Sequence, residues 1–216
     1  MTQIQIKITP DTWINSTWDE YVQIVENELD DIQFKSYYYN QKLRIEMSPL
    51  GSDHSRDHAI IIYIIYQFAA LKNIDIDGHD NCSYRKKGIR EAQPDVSFYI
   101  GKNAEVIPTD TTIINLDQYP PPDLVIEVAN TSLFDDTGSK RMLYEDLGVK
   151  EYWIIDVKNV EIIAFSIENK SSGRIRQSQV LPNLQISVLE EALQKTRTMN
   201  HGKVIKWLME KLQNNI

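Results

Sequence analysis

The run Leu124-Val125-Ile126-Glu127-Val128 constrains this chain more than any other stretch, because it sets a carboxylate inside an apolar segment. Aliphatic residues at every other position of the run read as a central strand covered on both faces. An ionised carboxylate buried there is costly unless it is paired, hydrogen-bonded or bound to a metal. Glu127 is therefore either a ligand or one half of an internal ion pair with Arg or Lys, and its own strand does not decide which.

A second acid opens the strand Asp95-Val96-Ser97-Phe98-Tyr99-Ile100, which Gly101 ends. Side chains alternate along a strand, so Asp123, Val125 and Glu127 share one face. If the two strands are neighbours, Asp95 and Glu127 converge on one divalent cation, and carboxylate, carbonyl and water ligands suit Mg²⁺. Such an ion generates hydroxide from water and stabilises charge on a phosphodiester.

The rest of the chain supplies elements to carry these strands. Thr17-Trp18-Asp19-Glu20 has the capping-box pattern and predicts a helix with Tyr21, Ile24, Val25 and Leu29 on one face. Phe34–Tyr39 and Leu43–Met47 read as strands joined at Asn40-Gln41, and Ser48–Gly51 as a loop. A long buried helix spans about 54–72; its run Ala59–Tyr66 is too short for a membrane span. Short strands are expected at Ile74–Ile76 and Ser83–Arg85, and 101–118 as a polar connection. A helix from about 137 to 147 stops at Gly148. Strands follow at Tyr152–Ile155, Glu161–Ile167 and Arg174–Leu181, then helices at Leu189–Thr196 and Val204–Leu212. The alternation is loose, which predicts an α/β (α+β) chain with one mixed sheet flanked by helices.

The 216 residues fit one domain: 1–32 as lead-in and helix, 33–190 as core, 191–216 as C-terminal helix. One cysteine, Cys82, permits no intrachain disulfide and suits a reducing cytoplasm; the N-terminus lacks signal-peptide features. The net charge of −8 argues against strong nonspecific nucleic-acid binding, without excluding a local basic patch. There is no phosphate loop, nucleophile elbow or paired-cysteine site.

Four pieces in fixed order carry a resemblance: Met47-Ser-Pro-Leu-Gly-Ser-Asp-His54, Gln93-Pro-Asp-Val96, Pro122-Asp-Leu-Val-Ile-Glu-Val128 with Lys140 and Tyr144, and Gly148-Val-Lys-Glu-Tyr-Trp-Ile-Ile-Asp156. Over about residues 35–190 the chain resembles the Uma-type restriction endonucleases of the PD-(D/E)XK nuclease superfamily. The resemblance implies that fold and a metal-dependent endonuclease acting on DNA, with Mg²⁺ or Mn²⁺ held by Asp95 and Glu127. The superfamily lysine normally stands two residues after the second acid, where this chain has Ala129; the subfamily carries it in the next helix, as Lys140. A lysine there orients or activates the attacking water.

Further residues have two readings each. Asp123 lies too far along the strand to join the same ion; it caps the loop after the three prolines or reaches a second metal, and the structural reading comes first. Glu46 is an acid at the site's edge or an exposed strand carboxylate. His54 approaches substrate or braces its loop; with His58 it has i, i+4 spacing for zinc but no third ligand. Tyr144 flanks Lys140, with packing as its default role. Arg85, Lys86, Lys87 and Arg90 are the one local basic cluster, either phosphate contacts or a solvated loop. A homodimer would present two sites to two strands. Two rivals remain: a catalytically silent nuclease-fold binding or assembly module, and a different metal-dependent hydrolase.

Overall fold

The computed structural model describes residues 9–28, 34–47 and 51–214. Its first sheet is ordered β1-β3-β2-β6-β5-β8: β1 (Ile14–Asn15), β2 (Phe34–Tyr39), β3 (Lys42–Met47), β5 (Ser83–Lys86), β6 (Arg90–Ala92) and β8 (Ile113–Asn115). The second is ordered β12-β11-β10-β9-β7-β4: β4 (Ile76–Asp80), β7 (Val96–Ile100), β9 (Leu124–Ala129), β10 (Glu151–Asp156), β11 (Glu161–Glu168) and β12 (Ser171–Ile175). Each sheet is antiparallel except for one parallel pair, β5–β8 in the first and β9–β10 in the second. The expected single mixed sheet is thus two.

Period-two alternation decides what each face of the second sheet meets. Leu124, Ile126 and Val128 of β9 and Trp153 and Ile155 of β10 pack with α2 (Ser52–Leu71), α5 (Ile186–Thr196) and α6 (His201–Asn214). The alternate residues Val125, Ala129, Tyr152 and Ile154 face the other way, against Tyr37 and Tyr39 of the first sheet and Leu143 and Tyr144. Glu127 falls on this second face, so its carboxylate enters the space between the sheets.

The helix α1 (Trp18–Gln23) starts at the Thr17 capping box and buries Tyr21. Leu29 and residues 48–50 of the expected loop lie outside the described residues. Asn40 and Gln41 both have positive φ, 49° and 56°, as a tight hairpin requires. The helix expected at 137–147 begins earlier: α3 (Leu133–Asp135) runs through a π-helical turn at Asp136–Lys140 into α4 (Arg141–Leu147), and Gly148 caps it at φ 83°. The strand expected at Ile74–Ile76 starts two residues later and runs on to Asp80, as β4. The strand expected at Arg174–Leu181 is a second correction: β12 ends at Ile175. Beyond it the buried Glu151 carboxylate accepts from Ser178 Oγ (2.9 Å) and from the Val180 amide (3.0 Å), curling the chain into a turn.

Candidate active site

The two sequence-marked acids stand on adjacent strands. β7 and β9 pair antiparallel with Val96 opposite Ile126, and the Val128 amide donates to Asp95 Oδ2 at 2.7 Å. Val96, Phe98 and Ile100 belong to the helix-side core, so Asp95 emerges on the same face as Glu127. Both line a cavity of about 290 Å³ with Lys35, Glu46, His54, Asn130, Ser132 and Lys140.

Lys140 is 1% exposed. The π-helical turn widens the helix and brings its ammonium inward, to 2.8 Å from Glu46 Oε1, 3.0 Å from Asp136 Oδ1 and 3.7 Å from Glu127 Oε2. It also lies 4.4 Å from the centre of the Tyr37 ring. Burial works against its charge, but Asp136, Glu127 and Glu46 together hold its pKa well above the ordinary lysine value.

Glu127 is buried beneath two phenols: Tyr144 donates to Oε1 at 2.7 Å and Tyr37 at 3.2 Å. Burial pushes its pKa up to about 8, only partly opposed by the Lys140 ammonium and reinforced by the Asp95 charge. Asp95 behaves oppositely. Burial alone would raise it, but the Lys35 ammonium on Oδ1 and His54 Nε2 at 3.6 Å hold it well below the usual carboxylate range. Two neighbouring carboxylates pushed apart in this way are a mark of working sites.

Glu46 also accepts from Arg44 Nε at 2.8 Å, and its pKa falls because Lys140 and Arg44 outweigh its burial. His54 Nδ1 is buried with no hydrogen-bond partner among the described residues. Its intended zinc partner His58 faces Asp80 (3.1 Å) while His54 faces Asp95, so the two do not converge. Asp123 sits elsewhere: it accepts from the Ile100 amide (2.7 Å) and Asn103 and pairs with Lys150 at 2.6 Å, holding strand ends together. Tyr144 bonds Glu127 rather than merely packing. Of the basic cluster, Arg85 pairs with Glu91 and, at 2.9 Å, with Glu26, and Arg90 lies 3.5 Å from Asp146. Lys87 is exposed and Lys86 half-buried.

Lys35, Tyr37 and Asp136 were not singled out from the sequence. The signal for the first two is the alternation of β2, which places Lys35 and Tyr37 on one face opposite Glu46 and Arg44 of β3.

The cavity's donor set fits a hard divalent cation. Four carboxylates (Asp11, Glu46, Asp95, Glu127) line it against two ammonium groups, and the acids present oxygen. Among the described residues no three His, Cys, Asp or Glu side chains form a ready-made metal cluster, so water or substrate oxygens would complete any coordination.

Two sheets, one carrying an acid pair beside a buried lysine, define a mixed α/β fold of the nuclease type. A crystal structure described as a putative nuclease belonging to DUF820, from Anabaena variabilis ATCC 29413, has this fold at TM-score 0.55 and 18% identity, covering 82% of this chain and 98% of that one. The model of the family described as Uma2, "Putative restriction endonuclease", matches residues 18–201, and the chain belongs to that family. Curated protein sequences give no match. No described helix is long and apolar enough to cross a membrane.

Proposed function

We propose that this protein is a metal-dependent endonuclease that hydrolyses DNA phosphodiester bonds. The observation that carries the reading is the convergence of Asp95, Glu127 and Lys140 on one cavity, two carboxylates with opposed pKa shifts beside a buried ammonium. Membership of a family described as "Putative restriction endonuclease" supports it.

Asp95 and Glu127 would hold Mg²⁺ or Mn²⁺, which supplies a water of lowered pKa and charge stabilisation on phosphate. Asp95 is anionic throughout the neutral range, and a cation nearby favours the ionised form of Glu127. Tyr144 fixes the Glu127 carboxylate by donating to it, and the Tyr37 hydroxyl, shared with the Gln93 carbonyl at 2.8 Å, lies 3.2 Å from the same oxygen. Lys140, locked by Glu46 and Asp136, brings a fixed positive charge to the side of Glu127, where an attacking water or a phosphoryl oxygen is stabilised without reorganisation. Lys35 brings a second ammonium beside Asp95.

The test is nicking of supercoiled plasmid with Mg²⁺, Mn²⁺ or chelator. Metal-dependent nicking by the purified protein is expected; equal background in all three would contradict the reading. The alternative, a silent nuclease-fold module, draws on the net charge of −8 and the capture of Arg85 and Arg90 by acids. It predicts no rise in thermal midpoint with Mn²⁺, whereas a metal-binding site predicts a rise that Asp95→Asn removes.

A further inference from the structure

We propose that Phe134 is a base-stacking residue that makes this site act on unpaired nucleotides, so that the substrate is single-stranded or frayed DNA. The inference rests on the nuclease reading above and adds the substrate's strandedness.

Phe134 is 93% exposed, about twice as much as the next most exposed large hydrophobic among the described residues, Ile89 at 47%. Single surface hydrophobics are ordinary, but position and anchoring set this one apart. It stands two residues after Ser132, which lines the catalytic cavity. Its neighbours are fixed on both sides: Leu133 is half-buried against the core between the sheets, and Asp135 accepts from Trp13 Nε1 at 2.5 Å. Asp135 also lies 3.3 Å from Arg44. The Thr137 hydroxyl donates to the Leu133 carbonyl at 2.7 Å and to the Phe134 carbonyl at 3.2 Å, tying the short helix together. The fold thus holds an aromatic ring in solvent, two residues along the chain from a side chain that lines the cavity, where it adds almost no buried area.

Electrostatics show why such a ring is needed. Affinity for a duplex grows with the number of phosphates met by Lys and Arg. Here the net charge is −8, the cavity has more carboxylates than ammonium groups, and Arg85 and Arg90 are spent on Glu91, Glu26 and Asp146. A site with so weak a phosphate grip needs another source of affinity, and stacking on a base supplies it wherever the base is free of its partner. Phe offers no hydrogen bond, so the contact is indifferent to sequence.

The experiment measures fluorescence anisotropy of a labelled 12-nucleotide single strand and of the same sequence as duplex. Wild type, Phe134→Ala and Phe134→Trp are compared with Ca²⁺ and with chelator. Plasmid and single-strand cleavage are measured in parallel. Expected are tighter binding of the single strand than of the duplex, a loss of about tenfold in Phe134→Ala with an unchanged thermal midpoint, and recovery in Phe134→Trp. If wild type cleaves and Phe134→Ala binds and cleaves equally well, the stacking role is wrong while the nuclease reading stands. If wild type neither binds nor cleaves any nucleic acid, both fall. A Phe134→Ala change confined to sedimentation behaviour would assign the ring to self-association and overturn the inference.

Discussion

Glu127 makes the stability of this protein depend on pH in an unusual direction. Burial raises its pKa from an ordinary 4.5 to about 8. Between those values the folded state binds a proton that the unfolded chain has released, so stability falls as pH rises through the window. At about 1.4 kcal/mol per pH unit the full swing is about 5 kcal/mol. Because Glu127 is tightly coupled to the Lys140 and Asp95 charges, the swing expected in the unfolding free energy is about 2–5 kcal/mol. Glu127→Gln keeps an acceptor for Tyr144 and Tyr37 but cannot ionise. Urea unfolding of both proteins in chelator, at intervals from pH 5 to pH 9, therefore predicts that wild type loses stability relative to the variant, most steeply between pH 5 and pH 8. Parallel curves would refute the burial argument, because they would show that Glu127 ionises in the fold as readily as in the unfolded chain.

Lys140→Met leaves the carboxylates at 2.8, 3.0 and 3.7 Å without their shared cation and is expected to cost about 3–5 kcal/mol at neutral pH, with part restored by adding Glu46→Gln, which neutralises the acid whose ionised form Lys140 favours; chemical denaturation of the single and double variants checks it. Arg197→Ala removes a two-point pair (both contacts 2.6 Å) from fully buried Asp57, tying α2 to the end of α5. It should cost about 3 kcal/mol or somewhat less, since Arg197 is partly exposed; Asp57→Asn on top should recover stability, and no recovery would deny the pair its role. Gly148→Ala forces a side chain to φ 83° and should cost about 1–2 kcal/mol, read as a fall in thermal midpoint.

The pattern of β9 announced its own geometry. An acid at an odd position of an apolar strand had to point away from the Leu124, Ile126 and Val128 face, and it does, into the cavity with Asp95. The capping box at Thr17, the Asn40-Gln41 turn and the Gly148 cap were legible for similarly local reasons. What escaped was set by distance along the chain. β6 and β8 have three residues each, too few to show a period, so the first sheet was not recognised as separate. Lys35 is 60 residues from Asp95 and reads alone as an ordinary strand lysine. The π-helical turn that swings Lys140 inward has no sequence signal of its own, and the Glu91 and Asp146 partners of Arg85 and Arg90 become visible only after folding.

The central question is whether Asp95 and Glu127 carry out phosphodiester hydrolysis together. The direct measurement is the metal-dependent nicking rate of wild type, Asp95→Asn and Glu127→Gln, each first shown to be folded by its thermal unfolding transition. Expected are nicking by wild type in Mg²⁺ or Mn²⁺ and loss to background in both variants. A folded variant of either kind that nicks at the wild-type rate, with the same metal dependence, would contradict that joint role.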